Sequence, residues 1–84
     1  MNQPVALTLS EDEALVLESL FSRFEQEGRI VLRHNAEFIA LSRLSGQIEK
    51  VLVQSFLPDY DSLVASARER IAEGFEGIAP GVEP

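Results

Sequence analysis

Histidine and cysteine, the side chains that most often bind transition metals, are nearly absent from this 84-residue chain. His34 is the single histidine, and Glu37 follows three residues later, so a helix would present both on one turn as two ligands. A protein metal site needs at least three or four convergent ligands, and the chain contains no cysteine. We therefore interpret His34 as a surface histidine near a helix start and predict no metal site.

Two other patterns contain residue types that are found in catalytic or ion-binding sites. Asp59 and Asp61 are spaced like ligands of a calcium loop, but the glycine and distal glutamate of such a loop are missing, and helix capping explains both. No serine lies in a Gly-x-Ser-x-Gly elbow, and the glycines form no phosphate-binding loop. The sequence predicts neither enzymatic activity nor a cofactor. An active site shared between subunits stays open only if His34 is buried beside a carboxylate.

The clearest local pattern is a helix start at Ser10, which three acidic residues follow. The Ser10 hydroxyl can accept from the amide of Glu13 while the Glu13 carboxylate accepts from the amide of Ser10, as in a capping box. Acidic side chains in a first helical turn are also favoured by the helix dipole. We predict a first helix over Glu11–Glu27, ended by Gly28, which tolerates a left-handed backbone.

The segments before and after this helix have the composition of short strands. Val5–Leu9 alternates large apolar residues with Ala6 and Thr8, which is the period of a half-buried strand. Residues 30–33 begin with three apolar side chains and could form a second strand beside the first, in a small crossover unit. The alternative for residues 29–35 is an extended loop or an early start of the next helix.

Two further helices are predicted. Asn35 is a suitable N-cap for a second helix over Ala36–Phe56, which the proline at position 58 prevents from continuing. A third helix is predicted to begin at Asp59 or Asp61 and to end near residue 73, because a glycine follows there.

Size and composition indicate one small domain over residues 1–74, followed by a flexible tail over residues 75–84 that is rich in glycine and proline. We see no internal repeat. At this length a single core is marginal unless a second subunit shares it. No apolar run reaches the roughly 18 residues of a membrane span, and no signal peptide is recognisable, so we expect a cytoplasmic location.

The second helix has the least polar circumference of the three. Its main apolar stripe adjoins a strip of small or apolar residues, so we expect this helix in the centre of the bundle or at a subunit interface. An interior helical glycine costs about 1 kcal/mol relative to alanine. Close approach of another helix backbone would explain a glycine at position 46. The alternative is that the helix tolerates the cost. In the first helix, Leu15 lies away from the main apolar stripe. The interface candidates are Leu15, Ile39, Gly46 and Val53.

The charge changes sign along the chain, for a net charge of -7. Residues 11–27 hold six acids against one arginine, residues 28–56 hold four bases against two acids, and residues 57–84 hold six acids against two arginines. This alternation fits segments that fold onto one another, and the net charge opposes binding to nucleic acid. The first helix could present an acidic face to a basic protein, or its acids could serve solubility alone. The acidic-face candidates are Glu11, Glu18, Glu25 and Glu27.

Two short motifs, DEALVL at residues 12–17 and PDYDSL at residues 58–63, resemble those of a group of short bacterial helical proteins without assigned function. The similarity extends from Leu7 to Arg70. It implies a small helical bacterial protein, and it transfers no catalytic or ligand-binding residue to this chain.

The sequence therefore predicts a mainly α domain, a three-helix bundle with the second helix in the centre. The domain could also contain the short strand at Val5–Leu9 and a second one at residues 30–33. The predicted function is a non-catalytic protein–protein interaction or regulatory module that forms a homodimer and binds neither membrane nor nucleic acid. The alternative is an acidic inhibitor, or an immunity-type or antitoxin-type partner, of a basic protein or enzyme.

Overall fold

The computed structural model describes residues 3–52 and 57–83 of the chain. These residues form three helices, α1 over Glu11–Glu27, α2 over Asn35–Val51 and α3 over Tyr60–Ala72. The prediction of a mainly α, three-helix chain is confirmed.

The caps of α1 follow directly from its sequence. The Glu13 amide donates to the Ser10 hydroxyl over 3.0 Å, and the Ser10 amide donates to the Glu13 carboxylate over 2.8 Å. At the other end, Gly28 has a φ of 62° and its amide donates to the carbonyl of Phe24 over 2.7 Å. Only glycine adopts this backbone without strain, which is why the helix ends there.

The cap of α2 differs from the prediction by one residue. His34 is the N-cap, and its Nδ1 accepts from the Ala36 amide over 2.9 Å, whereas Asn35 is the first residue of the helix. A Glu37 carboxylate oxygen accepts from the Arg33 amide over 2.6 Å. The side chains of His34 and Glu37 therefore accept from backbone amides on both sides of the N-cap. Helix α2 ends at Val51, and Leu52 is its C-cap with an extended backbone (φ -91°, ψ 100°), so the predicted continuation is wrong at residue 52. The rest of the predicted helix, residues 53–56, lies outside the described residues.

Helix α3 begins within the predicted window, but it is not capped as expected. Asp59 occupies the N-cap position with a φ of -98° and makes no side-chain capping hydrogen bond. Asp61 lies in the first turn, where a carboxylate is favoured by the helix dipole. Capping therefore does not explain Asp59.

Neither predicted strand is present in residues 3–52 or 57–83. Residues 30–33 were one possible partner strand for Val5–Leu9, and both segments are irregular; the alternative of an extended loop fits residues 30–33. Val31 is 91% exposed, so the loop carries an apolar side chain into solvent and leaves the first segment without a neighbouring strand. A strand needs a partner for its backbone groups, and the described part of the chain does not provide one for Val5–Leu9.

Helix α1 packs against both other helices, which corrects the prediction that the second helix is central. Asp12 and Glu18 bond to Arg70 and Tyr60 respectively, so α1 and α3 run antiparallel. On its other side, the ring of Phe24 near the end of α1 lies 6.3 Å from that of Phe38 near the start of α2.

Burial on two sides of α1 explains its central position. Leu15 and Phe21 are both buried, and they point about 120° apart around the helix axis. The apolar stripe predicted from the sequence contains Phe21 but not Leu15, so it covers only one of the two buried sides. Helices α2 and α3 each bury a single narrow face. The buried apolar residues are Ala14, Leu15, Phe21, Ile48, Leu52, Val64 and Ala67.

This core is small for the surface around it. The chain has an accessible surface of 7223 Å², whereas a folded monomer of 9.3 kDa is expected to expose about 5,000 Å². The radius of gyration is 14.2 Å, against about 12 Å expected for a compact chain of this length. The exposed surface includes large apolar side chains: Val5, Val31 and Val51 are 84%, 91% and 77% exposed.

Candidate interaction surfaces

The four predicted interface residues do not share one surface. Leu15 is 4% exposed and belongs to the core of the chain itself, so, contrary to the prediction, its side chain is not offered to a partner. Ile39 is 46% exposed on α2, and Gly46 lies two turns further along the same helix, partly exposed. Val53 lies outside the described residues. Only Ile39 and Gly46 thus remain as neighbouring surface candidates.

No other part of the described chain packs closely on Gly46. A Cβ atom built on this glycine meets no heavy atom within 4 Å. The helix backbone that was expected to approach here is therefore not one of the chain's own described helices. A tolerated glycine and a contact with another molecule both remain as explanations. Arg43 and Lys50 are exposed on the same side of α2.

The predicted acidic face is interrupted by the burial of Glu18, which is 8% exposed. Glu11, Glu25 and Glu27 are exposed, but Glu11 and Glu25 lie fourteen residues apart, or about 21 Å along the helix. The carboxylate of Glu27 lies 3.7 Å from the guanidinium of Arg29. The acids of α1 therefore form two separate groups, one at each end.

Glu18 instead anchors a partly buried polar cluster between α1 and α3. The Tyr60 hydroxyl donates to one of its carboxylate oxygens, and the Ser22 hydroxyl donates to the other over 3.3 Å. Burial raises the pKa of Tyr60, and the hydrogen bond to Glu18 and the charge of that carboxylate raise it further. Tyr60 is thus held as a neutral donor, which suits it to fixing the position of α3 and not to acting as a nucleophile or base.

The position of Glu18 in the sequence indicates its burial, although the main apolar stripe of α1 does not include it. At about 100° per residue, Glu18 falls between Ala14 and Leu15 around the helix axis, within the buried arc that runs from Phe21 through Ala14 to Leu15. An acid inside an apolar arc predicts a buried polar partner, and Tyr60 in the apolar stripe of α3 can supply the hydroxyl.

A second bond between α1 and α3 lies at the surface. The Arg70 guanidinium donates from Nε and Nη2 to the two carboxylate oxygens of Asp12, over 2.7 and 2.8 Å. This fork lowers the pKa of Asp12, chiefly through the hydrogen bond. It fixes the start of α1 against the end of α3 and completes the antiparallel arrangement that the Glu18 cluster begins.

The one groove that we describe lies between α1 and α2 and is too small for a typical ligand. Its cavity volume is about 10 Å³, room for about one water molecule, against roughly 300–1,000 Å³ for small-molecule sites. His34 is exposed outside it, so the condition for a shared active site at His34 is not met. In the described chain, no three potential ligands among His, Asp and Glu are grouped to hold a metal ion. The groove is lined by Phe21, Phe24, Glu25, Phe38, Leu41, Ser42 and Ser45.

Large apolar side chains are exposed in the segments outside the helices. Val5 is 84% exposed and Leu7 is 75% exposed in the segment Val5–Leu9. The tail after α3 also exposes Phe75 and Ile78. Isolated exposed apolar residues are ordinary, but several within one short segment indicate a contact surface.

The tail contains a short repeat of glycine followed by a large apolar residue. Glycines 74, 77 and 81 each have a φ between 83° and 88°, and each precedes a large exposed apolar residue. The end of the tail returns to the connection between α1 and α2, where Arg29 and Glu83 lie 3.7 Å apart. The division into a domain over 1–74 and a flexible tail over 75–84 stays a prediction.

Comparison with known proteins gives no relative from which a function could be transferred: the sequence matches no family model, no curated protein and no solved structure. The resemblance of the motifs at residues 12–17 and 58–63 to short bacterial helical proteins therefore stays a prediction. Among the helices that the structure describes, none is long and apolar enough to cross a membrane.

Proposed function

We propose that this protein is a non-catalytic protein–protein interaction or regulatory module that works as a homodimer. The observation that carries the proposal is the accessible surface of 7223 Å², which exceeds the expected value for a 9.3 kDa monomer by roughly 2,000 Å². A standard protein interface buries about 800 Å² on each partner. The excess is therefore large enough to supply such an interface. The expected cytoplasmic location belongs to the same proposal.

The composition of the core supports the same conclusion. Of the seven apolar residues that are buried in the described part of the chain, two are alanines, which contribute little apolar area. Large residues such as Val5, Leu7 and Val31 are exposed instead. Small domains of this kind often gain their missing burial from a second subunit.

Light scattering coupled to size exclusion, from about 1 to 200 μM protein, tests the homodimer. We expect a mass of twice 9.3 kDa at the upper concentrations, with dissociation on dilution if the affinity is micromolar. A mass of 9.3 kDa throughout, with a monodisperse peak, would exclude self-association and with it this proposal.

The alternative, an acidic inhibitor or immunity-type partner of a basic protein, keeps one specific support. Glu25 and Glu27 lie in the last turn of α1, where acidic side chains oppose the helix dipole and no basic residue is present. These two acids therefore do not serve helix stability.

Replacement of both Glu25 and Glu27 by lysine tests this alternative in a pull-down from the source cell. A basic partner should bind the wild type in a salt-dependent manner and be lost from the double variant, while Glu11→Lys, at the distant end of α1, should retain it. Binding that ignores salt, or that survives the double replacement, contradicts this alternative.

A further inference from the structure

The segment Val5–Leu9 has the pattern of a strand, but none of residues 3–52 and 57–83 forms a strand beside it. We infer that a second copy of this chain supplies the missing partner, through antiparallel pairing of the two segments centred on Leu7. This inference deepens the proposed self-association and rests on it. Paired in this way, Leu7 faces Leu7 of the second copy, and Val5 faces Leu9 of the second copy.

The backbone of the segment is available for such pairing. Within the described ranges, the amides and carbonyls of Val5–Leu9 make no hydrogen bond to the rest of the chain. Every one of its side chains is exposed, and Ser10, which follows, is already in extended conformation with a φ of -71° and a ψ of 162°. The segment therefore enters a strand without any change in α1.

Charge favours the segment as the meeting point of two copies. Each copy has a net charge of -7, and the first ten residues contain no charged side chain. Two copies that meet through this segment therefore bring no like charges into contact, whereas the helices carry many acids. Contact through this uncharged segment therefore adds no like-charge repulsion of its own between the copies.

Charge also selects the antiparallel direction. Parallel pairing in register would place Glu11, Asp12 and Glu13 about 5 Å from the same residues of the second copy. Antiparallel pairing centred on Leu7 separates Glu11 from Glu11 of the second copy by eight residues, or about 26 Å. That distance exceeds the Debye length of about 8 Å at physiological salt, so the repulsion is screened.

The pairing also creates an apolar face. Side chains alternate along a strand, so Val5, Leu7 and Leu9 of both copies lie on one side of the two-stranded ribbon, and Ala6 and Thr8 on the other. A ribbon alone is marginally stable in water and needs apolar support. Ile71 offers such support, because it is half-exposed at the end of α3 that Arg70 fixes near Asp12, at the start of α1.

Single-cysteine variants test the geometry, because the natural chain contains no cysteine and any disulfide must join two copies. Leu7→Cys should form a disulfide-linked dimer under mild oxidation, since the two residues face each other at the distance that a disulfide requires. Val5→Cys is the matched control. Its copies lie about 13 Å apart, so we expect at least fivefold slower linkage, while a mixture of Val5→Cys with Leu9→Cys should link efficiently.

The possible outcomes separate this inference from the proposed function. A dimer by light scattering with no linkage of Leu7→Cys, or with efficient linkage of Ile39→Cys on α2 instead, overturns the inference and leaves the homodimer intact. Equal linkage of Leu7→Cys and Val5→Cys contradicts the antiparallel register. A wild type that is monomeric at every concentration removes the proposed function itself.

A second pair of variants covers the case in which cysteine perturbs the segment. Leu7→Asp places two carboxylates opposite each other and should weaken dimerisation at least tenfold. Thr8→Asp adds the same charge one residue away, where it faces Ala6 of the second copy, and should weaken it by less than threefold. Equal effects of the two variants, or none, contradict pairing centred on Leu7.

Discussion

Replacement of Tyr60 by phenylalanine should destabilise the protein more than any removal of a surface hydrogen bond. The change keeps the ring and deletes only the hydroxyl that donates to Glu18. Glu18 is 8% exposed, so water does not easily replace this donor, and the Ser22 hydroxyl at 3.3 Å remains as its side-chain partner. A hydrogen bond to a charged group contributes about 1.5–3 kcal/mol. We expect a loss of that size in the free energy of unfolding.

Urea unfolding followed by circular dichroism at 222 nm measures this loss, at one fixed protein concentration because self-association would change the apparent stability. Ser19→Ala is the matched control: it removes an exposed hydrogen bond of 3.3 Å from Arg68 and should cost less than about 0.5 kcal/mol. The double variant Tyr60→Phe with Glu18→Gln should lose less than the sum of the single changes, because each removes the same bond.

The titration of Tyr60 gives a second reading of the same bond. Its pKa is raised above the ordinary 10.0, so the folded state holds the proton more tightly than the unfolded state. The stability that this provides is present below pH 10 and is lost as the pH rises further. Tyr60→Phe should therefore lose less stability above pH 10 than the wild type. A loss below about 0.5 kcal/mol for Tyr60→Phe at neutral pH, with additive double-variant energies, would refute the buried bond.

Three further changes have definite expected outcomes. Ser10→Ala removes the acceptor for the Glu13 amide and should cost about 1 kcal/mol by urea unfolding, whereas Ser10→Asp should retain most of the stability. In Gly46→Ala the added Cβ meets no atom within 4 Å, so the free energy of unfolding of the isolated chain should rise by roughly 1 kcal/mol. If the substitution weakens dimerisation instead, the second copy contacts the chain at this glycine. The pKa of Asp12 is lowered by Arg70, so its contribution is present above the unfolded pKa of 3.8 and is lost as the pH falls below it. Asp12→Asn should thus lose less stability than the wild type between pH 5 and pH 3, and identical acid profiles would contradict the fork.

Local features of the fold could be predicted from the sequence because their causes are local. The capping box at Ser10 and the left-handed Gly28 depend only on residues within one turn, and α1 has the bounds that they predict. The cap of α2 lies one residue before the predicted one because the His34 imidazole nitrogen accepts from the Ala36 amide and so takes the N-cap role expected of Asn35.

Features that depend on distant neighbours were not predictable in the same way. Leu15 and Glu18 look like surface residues of a helix with one partner, and both are buried because α1 has two. The expected strand at Val5–Leu9 needs a second strand, and the alternation of side chains does not reveal whether that strand exists in the chain. The surface candidates Ile39 and Gly46 are at least partly exposed, but a helical wheel does not show whether another molecule contacts them.

The bond between Tyr60 and Glu18 also gives this protein an intrinsic optical label. The chain contains one tyrosine and no tryptophan, so its ultraviolet emission comes from Tyr60. A carboxylate that accepts from a tyrosine hydroxyl quenches the emission of the excited ring. The fluorescence near 305 nm should therefore be weak while α3 is docked on α1 and should brighten when the two helices separate, whatever happens at α2.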